Sequence, residues 1–374
     1  MIKLTDLTLY CNTAYKDPFE LIESQQESSG YAFHLTDRLS INIIKHTTFE
    51  EVVVVDGVQF NFFKGNNRFG FLSFKTVRHL RSDPPDIILL QGLIFPLQVI
   101  LLRLMLGKKP VIIAQHHGEL PSRRFKGRLQ KLADKFISAY LFTSMGNAKI
   151  WLENKLISNA AKCFEILEAS TAFVKQNKER SKIKTGLTGQ WNFLWVGRLN
   201  ANKDPLTVLR AFKKYLFVNP LAELYMFFHT DEMIAAIKTF ISKNASLLRA
   251  IHLSDFIEHG DLQDWYSAAD FFISGSHREG SGFALIEAMS CGCIPIITGI
   301  PTFIKISGNG AHAVIYQAGN SERLFEALLT LDHINRGEMS EKIVNFFKSE
   351  LSFKAIADQL FSLTQLVQTT PSQP

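Results

Sequence analysis

The sequence is short of cysteine and has no long uninterrupted apolar run. Its four cysteines, Cys11, Cys163, Cys291 and Cys293, are too few and too scattered for a disulfide framework, and no pair has zinc-ribbon spacing. A reducing compartment is the expectation. The most apolar stretch, residues 87–106, is broken by Gln91, Gly92, Pro96, Gln98 and Arg103, so no clean run of about 18 residues remains to span a membrane. It reads instead as a strand over 87–90, a turn, and a helix over 96–106. The opening MIKLTDLTLYCNTAYKDP places Asp6 inside its apolar run and lacks a signal-peptide h-region. A cytoplasmic location is therefore expected.

What is present fits a globular chain of more than one core. Hydrophobic residues make up 46% and charged residues 20% of 374 positions, a length that suggests two or three domains. Charge is unevenly divided. Residues 1–175 hold 22 Lys and Arg against 16 Asp and Glu, whereas residues 176–374 hold 19 of each, so the first half carries the whole net charge of +6. A basic half joined to a neutral half implies different partners, the basic one facing something anionic.

Short apolar runs alternate with helical stretches along both halves. Strands are expected at 4–9, 41–44, 52–55, 58–63, 87–90, 111–114 and 139–143, with helices near 18–26, 96–106 and 125–137. After a polar, charged stretch at 175–190 that reads as a linker, strands follow at 193–196, 223–228, 251–253, 271–274, 294–297 and 313–316. Helices intervene at 205–215, 231–243, 262–269 and 283–291, and others close the chain near 322–331, 340–348 and 353–366, ahead of a frayed tail at 368–374. This is the pattern of α/β units with parallel sheets covered on both faces. Ligands of such sheets bind beyond the carboxyl ends of the strands.

Two motifs carry chemistry. In the first, Glu279-Gly-Ser-Gly-Phe-Ala-Leu-Ile-Glu287, one carboxylate lies in a glycine-loosened loop and the second on the helix that follows. The amides of Gly282, Phe283 and Ala284 at the helix start can receive an anion, aided by the helix dipole. Carboxylate, anion nest and carboxylate in sequence suit a sugar–diphosphate–ribose, since carboxylates accept from paired hydroxyls. The second motif is Val196-Gly-Arg-Leu199 followed by Asn202-Lys-Asp-Pro205. Arg198 leaves the end of a strand, and Lys203 precedes a helix marked by Asp204 as N-cap and Pro205 at its first position. Two cations there can hold a diphosphate and stabilise its charge as it leaves.

With these motifs in this order, the second half resembles the nucleotide-sugar domain of the family-4 retaining glycosyltransferases, of the two-domain GT-B fold. FLWVGRLNANKDPLTVLRAF and HREGSGFALIEAMSCGCIPIIT carry the resemblance, which is specific over 191–300 and architectural in the first half. It implies two doubly wound Rossmann-like domains facing across a cleft: 1–180 on the acceptor side and 181–352 for the nucleotide sugar. It also implies a last helix and tail, 353–374, crossing back to the first domain. Arg198 and Lys203 would grip the donor diphosphate, Glu279 the donor sugar, and Glu287 the ribose. The base would lie near Phe256 and Ile257. A histidine from Gln115-His116-His117-Gly118-Glu119 would reach the donor sugar, with His116 better spaced than His117.

The implied reaction moves a sugar from a nucleoside-diphosphate sugar, UDP or GDP, to a hydroxyl acceptor on a glycan or lipid-linked intermediate. No metal or other cofactor is expected, and no Asp-x-Asp occurs. Alternatives are a GT-B-fold sugar-nucleotide epimerase and a non-catalytic two-domain binding protein. The chain departs from the family after its first strand, where Tyr10-Cys-Asn-Thr-Ala-Tyr15 has no glycine; Ser29-Gly30 is the replacement to consider. Residues 103–135 carry nine Lys and Arg against Glu119 and Asp134, interleaved with Phe125, Leu129, Leu132 and Phe136. These suit either an interfacial helix on the inner face of an anionic membrane or an amphipathic helix packed on its own sheet. The 31 phenylalanines read as core, and no nucleic-acid partner is expected, because they lack interleaved basic residues.

Overall fold

The computed structural model describes residues 1–65, 73–121 and 124–369, in two units: Met1–Ala172 with the segment from Ser352 onward, and Phe173–Leu351. The sequence put the join at 180/181. The polar stretch taken there as a linker instead folds onto the second unit. Asn177 caps a helix, Lys178–Thr185, which Gly186 ends in the left-handed region. Val174 N donates to Gln263 Oε1 (2.9 Å), Ser181 Oγ to Asp264 (2.7 Å) and Lys178 Nζ to the buried Asp270 (2.6 Å). Charge in this stretch serves ion pairs rather than a solvated coil.

Among the described residues the first unit holds eight strands: β1 (Ile2–Cys11), β2 (Leu39–Thr47), β3 (Glu51–Val55), β4 (Val58–Lys64), β5 (Ile87–Gln91), β6 (Val111–Gln115), β7 (Ala139–Phe142) and β8 (Cys163–Glu165). Their order is β3-β4-β2-β1-β5-β6-β7-β8. The pairs are parallel except β3–β4, a hairpin turned by Asp56 and Gly57, both at positive φ. Val52 and Val54 of this edge strand are exposed, so the sheet is not covered throughout. β5 and β6 are continuous apolar runs because helices flank them. The helix Pro96–Leu106 matches its expected bounds, with Pro96 at the position where a missing N–H costs nothing.

The last helix, Phe353–Thr369, belongs to this unit. Arg38 Nη1 meets Asp358 (2.8 Å), and the Phe353 ring lies where a Cβ on Gly30 would stand, 2.6 Å away. Gly30 sits in a 3-10 turn, Gly30–His34, and so does not supply the missing turn after β1. The part of the expected frayed tail beyond Thr369 lies outside the described residues.

The second unit has six parallel strands: β9 (Trp191–Val196), β10 (Ala222–Phe227), β11 (Ile251–Ser254), β12 (Phe271–Ser274), β13 (Ile294–Thr298) and β14 (Val314–Tyr316). Their order, β11-β10-β9-β12-β13-β14, reverses direction between β9 and β12. That is the switch point of a Rossmann sheet, where the two motif-bearing loops emerge. Several phenylalanines form the core as expected: Phe193 packs on Phe271 (5.0 Å between centroids), Phe212 and Tyr215, and Trp191 stacks on Phe271, whereas Phe19, Phe74, Phe125, Phe217, Phe256 and Phe283 are exposed.

Besides Lys178–Thr185, the short helices Phe74–Ser82, Met145–Glu153, Ala245–Ala250 and Pro301–Ile306 escape the sequence pattern. Each buries only two or three residues on the neighbouring unit of structure, too little to print a period. Among the described residues no helix is long and apolar enough to cross a membrane.

Candidate functional site

In the second unit, the loop after β9 and the loop after β12 interlock. Gly275 has no room for a Cβ, which would meet the Asp204 carbonyl at 2.8 Å and the Lys203 carbonyl at 3.1 Å. Asn202 Nδ2 donates to the Arg278 carbonyl (2.9 Å), and His277 N donates to the Asn202 carbonyl (2.8 Å). Asp204 caps the helix Pro205–Tyr215 at a left-handed φ of 41°, its Oδ1 accepting from Thr207 N and its Oδ2 facing His277 Nε2 at 3.0 Å. A non-glycine residue in that region is held by its surroundings, and here three contacts hold it.

These contacts bring two expected residues together. Lys203 Nζ lies 2.5 Å from Glu279 Oε1, and Thr302 Oγ1 donates to the Glu279 carbonyl (2.6 Å). Arg198 is exposed beside them in sequence, at the end of β9. Gly282, at φ 72°, starts the helix Phe283–Ser290, and a Cβ there would stand 2.7 Å from Ile306 Cδ1. The first bonds back to the Gly282 carbonyl come from Leu285 and Ile286, which leaves the Phe283 and Ala284 amides ahead of the helical ladder.

One turn on, Glu287 is buried, and its two oxygens have separate partners. His259 Nε2 is 2.7 Å from Oε1, and Tyr266 OH donates to Oε2 (3.1 Å). Burial and the Glu287 carboxylate push the Tyr266 hydroxyl well above its usual range, so it donates. The His259 ring also packs against Phe173 in a tilted arrangement, 4.9 Å between centroids. Neither partner was expected from sequence: each is far from Glu287 along the chain, and no local spacing joins them. Phe256 is exposed and Ile257 half-buried, with the Phe256 carbonyl accepting from Ser254 Oγ (2.9 Å).

In the first unit, the two adjacent histidines differ sharply. His116 is packed between Phe142 and Trp151, its side chain 4% exposed. Its Nε2 donates to the Glu119 carbonyl (3.0 Å) and its Nδ1 accepts from Gly118 N (3.3 Å), the pattern of a neutral ring. Burial lowers its pKa in agreement. His117 is 29% exposed. Spacing favours His116 as the ligand-facing residue, whereas the geometry leaves His117 the more open. Glu119 holds the two strand-end loops together, its oxygens accepting from Leu93 N (2.9 Å) and His117 N (2.6 Å). Burial and this carboxylate push the nearby Tyr10 hydroxyl up to about 12. Among the described residues, no three His, Cys, Asp or Glu side chains are grouped so as to hold a metal ion.

Residues 177–348 match the family model described as "Glycosyl transferases group 1". Two curated relatives align over shorter segments. The GDP-mannose:cellobiosyl-diphosphopolyprenol alpha-mannosyltransferase of Xanthomonas oryzae pv. oryzae is 28% identical over 122 residues, 33% of this chain and 32% of that protein. The mannosylfructose-phosphate synthase of Agrobacterium fabrum is 25% identical over 180 residues, 46% of this chain and 40% of that one. The matched segments thus span two-fifths or less of those two relatives. Among solved structures, Anabaena HepE in complex with UDP shares the fold, with a TM-score of 0.73 at 14% identity over 98% of this chain and 100% of that one.

Proposed function

We propose that the chain, whose residues 177–348 match the group 1 glycosyltransferase model and which shares the fold of Anabaena HepE, is a GT-B glycosyltransferase that moves a sugar from a nucleoside-diphosphate sugar to a hydroxyl acceptor with retention of configuration. The observation that carries this reading is the meeting of the Lys203 and Glu279 loops at the sheet's switch point, beside the amides that open the helix Phe283–Ser290. Arg198 and Lys203 hold the diphosphate and stabilise the charge that grows on it. Glu279 accepts from the donor sugar, Glu287 from the ribose, and the Phe283 and Ala284 amides meet the phosphate. The base lies near Phe256 and Ile257. His117 is the better candidate of the histidine pair for the donor sugar.

The leaving phosphate takes the acceptor proton as the sugar transfers on the same face, so neither a protein base nor a metal is required. The diphosphate is UDP or GDP. The acceptor is a glycan or a lipid-linked intermediate. Turnover assays with UDP- and GDP-sugars test the reading: nucleoside diphosphate released only when acceptor is added identifies a transferase, whereas release of none with any donor overturns it.

The first unit also supports peripheral attachment to an anionic membrane. The helix Arg124–Ala133 meets its own unit through Gly127, Gln130 and Ala133, while Phe125 is 70% and Leu132 41% exposed beside Lys126, Arg128 and Lys131. An apolar stripe with basic neighbours, left uncovered by its own fold, suits a headgroup boundary. Arg123 of the same run lies outside the described residues.

A further inference from the structure

The middle of β1 and the carboxyl ends of β5 and β6 are joined by a buried chain of polar contacts that the donor reading does not use. Tyr31 OH donates to Asp6 Oδ2 (2.5 Å), and Gln91 Nε2 donates to Asp6 Oδ1 (2.9 Å). With its amide nitrogen committed to a carboxylate, Gln91 turns its oxygen to His117, 2.8 Å from Nε2. The other ring nitrogen, Nδ1, touches the Glu168 carboxylate. Glu168 is 2% exposed, and neither of its oxygens has a hydrogen-bond partner among the described residues beyond this ion-pair contact.

A neutral imidazole has one N–H and one lone pair. Here both nitrogens face acceptors, the Gln91 carbonyl oxygen and the Glu168 carboxylate. We infer that Asp6, Gln91 and Glu168 are positioning residues that hold His117 as a doubly protonated, fixed cation. The charge has a physical origin on both sides. An unpaired buried carboxylate is costly, and His117 is the cation in reach of Glu168. Asp6, through Gln91, fixes the acceptor on the opposite nitrogen.

The surroundings agree. Burial works against a charged ring at His117, but Glu168, Glu119 and Asp6 outweigh it and raise its pKa. The cations and neutral groups nearby do not reverse this: Lys45 on β2 faces Asp6, and His116 stays neutral. Adjacent histidines thus hold opposite states, one a neutral core ring and one a fixed charge. Resting on the donor reading, the further consequence is that His117 presents positive charge, rather than a lone pair, to an anionic or hydroxyl-bearing ligand.

The test needs no donor. In the full chain, histidine ring ¹H–¹⁵N spectra are recorded from pH 5 to 9, with His117→Asn identifying the resonance. The expected result is a His117 signal with both nitrogens protonated at pH 7 and a midpoint above that of a free imidazole, moving down in Glu168→Gln. A His117 ring with one protonated nitrogen at pH 7, or a midpoint unmoved by Glu168→Gln, overturns the inference. If Glu168→Gln does not fold, the wild-type titration still decides, and Gln91→Met supplies the second variant, with the same downward shift expected. Once a donor is known, the high-pH limb of kcat should track the His117 midpoint and shift down in Glu168→Gln. A limb that stays in place also counts against the inference, whereas a failed donor assignment leaves the spectra as they were.

Discussion

Lys203 and Glu279 are bound to each other, Nζ to Oε1 at 2.5 Å, across the two loops that meet at the switch point of the second sheet. Both side chains are mostly buried, 18% and 13% exposed. An incoming diphosphate and sugar would divide this pair, the ammonium going to phosphate and the carboxylate to hydroxyls. The pair keeps both charges aimed and compensated until then.

Arg198→Ala with Lys203→Ala is expected to weaken binding of UDP or GDP, whichever is the ligand. One charge-assisted phosphate contact is worth about 1.5–3 kcal/mol, so each change should cost roughly tenfold or more in Kd by calorimetry. Affinity unchanged in the double variant would remove the diphosphate from this loop.

Glu279→Gln and Glu287→Gln should fail differently. In the proposed orientation Glu279 faces the reacting sugar, and its loss should lower kcat by roughly tenfold to a hundredfold, the size of one such contact. Glu287 is held by His259 and Tyr266, and in the proposed orientation it faces the ribose, so Glu287→Gln should mainly raise the Kd of free nucleotide. Equal losses of nucleotide affinity in both variants contradict this orientation.

Chelation should leave turnover intact. Two protein cations serve the diphosphate in this reading, the role a divalent ion plays elsewhere. Activity abolished by EDTA and restored by Mn²⁺ or Mg²⁺ would falsify it.

Stability should depend on pH through His117. Its pKa is raised in the folded state, so its pairing stabilises fully below the unfolded imidazole value of about 6.5 and is lost as pH rises through the folded value. The advantage of wild type over Glu168→Gln in urea melts should therefore be greatest near pH 5.5 and shrink towards pH 9. An advantage that grows with pH has the wrong sign for a raised pKa.

Vesicles rich in anionic lipid should sediment the protein at low salt and release it near 1 M, where the Debye length falls to about 3 Å. Lys126, Arg128, Lys131 and Lys135 changed together to Gln should abolish binding, at about 1 kcal/mol for each basic residue near the surface. Retained binding in that variant would assign the exposed run no part in attachment.

Legibility in the sequence followed how local each signal is. The helix Pro205–Tyr215 announces itself with Asp204 and Pro205, and the strand before Glu279 with three apolar residues in a row, Phe271 to Ile273. The glycine-loosened loop before Phe283 was legible as well, and Gly282 takes a positive φ that a backbone without a Cβ adopts cheaply. Tertiary pairings were not legible. Lys178–Thr185 is charged along its length, yet its charges close on Asp264 and Asp270 of the second unit, so polarity imitated a linker. The His116–His117 order was misweighted for a similar reason: spacing along one strand end cannot tell which ring the packing of Phe142 and Trp151 will draw inward. Asp6 reads on paper as a flaw in an apolar strand. Its purpose emerges only when Tyr31 and Gln91 are brought to it.

The helix Phe353–Thr369 gives the first unit a peculiar history during synthesis. Its Phe353 ring fills the space over Gly30, and Ile356, Leu360 and Leu363 are buried, yet residues 173–351 leave the ribosome before any of them exists. At translation rates of about 5–20 residues per second, that interval is roughly 10–35 s. The second unit is made during this interval, and its last strand, β14, is complete before the closing helix of the first begins. The first unit must wait with an uncovered apolar surface around Gly30 and Arg38. Chain order thus lets the second unit complete before the first, which stays a late completion, most exposed to chaperones and proteases while its closing helix is still being made.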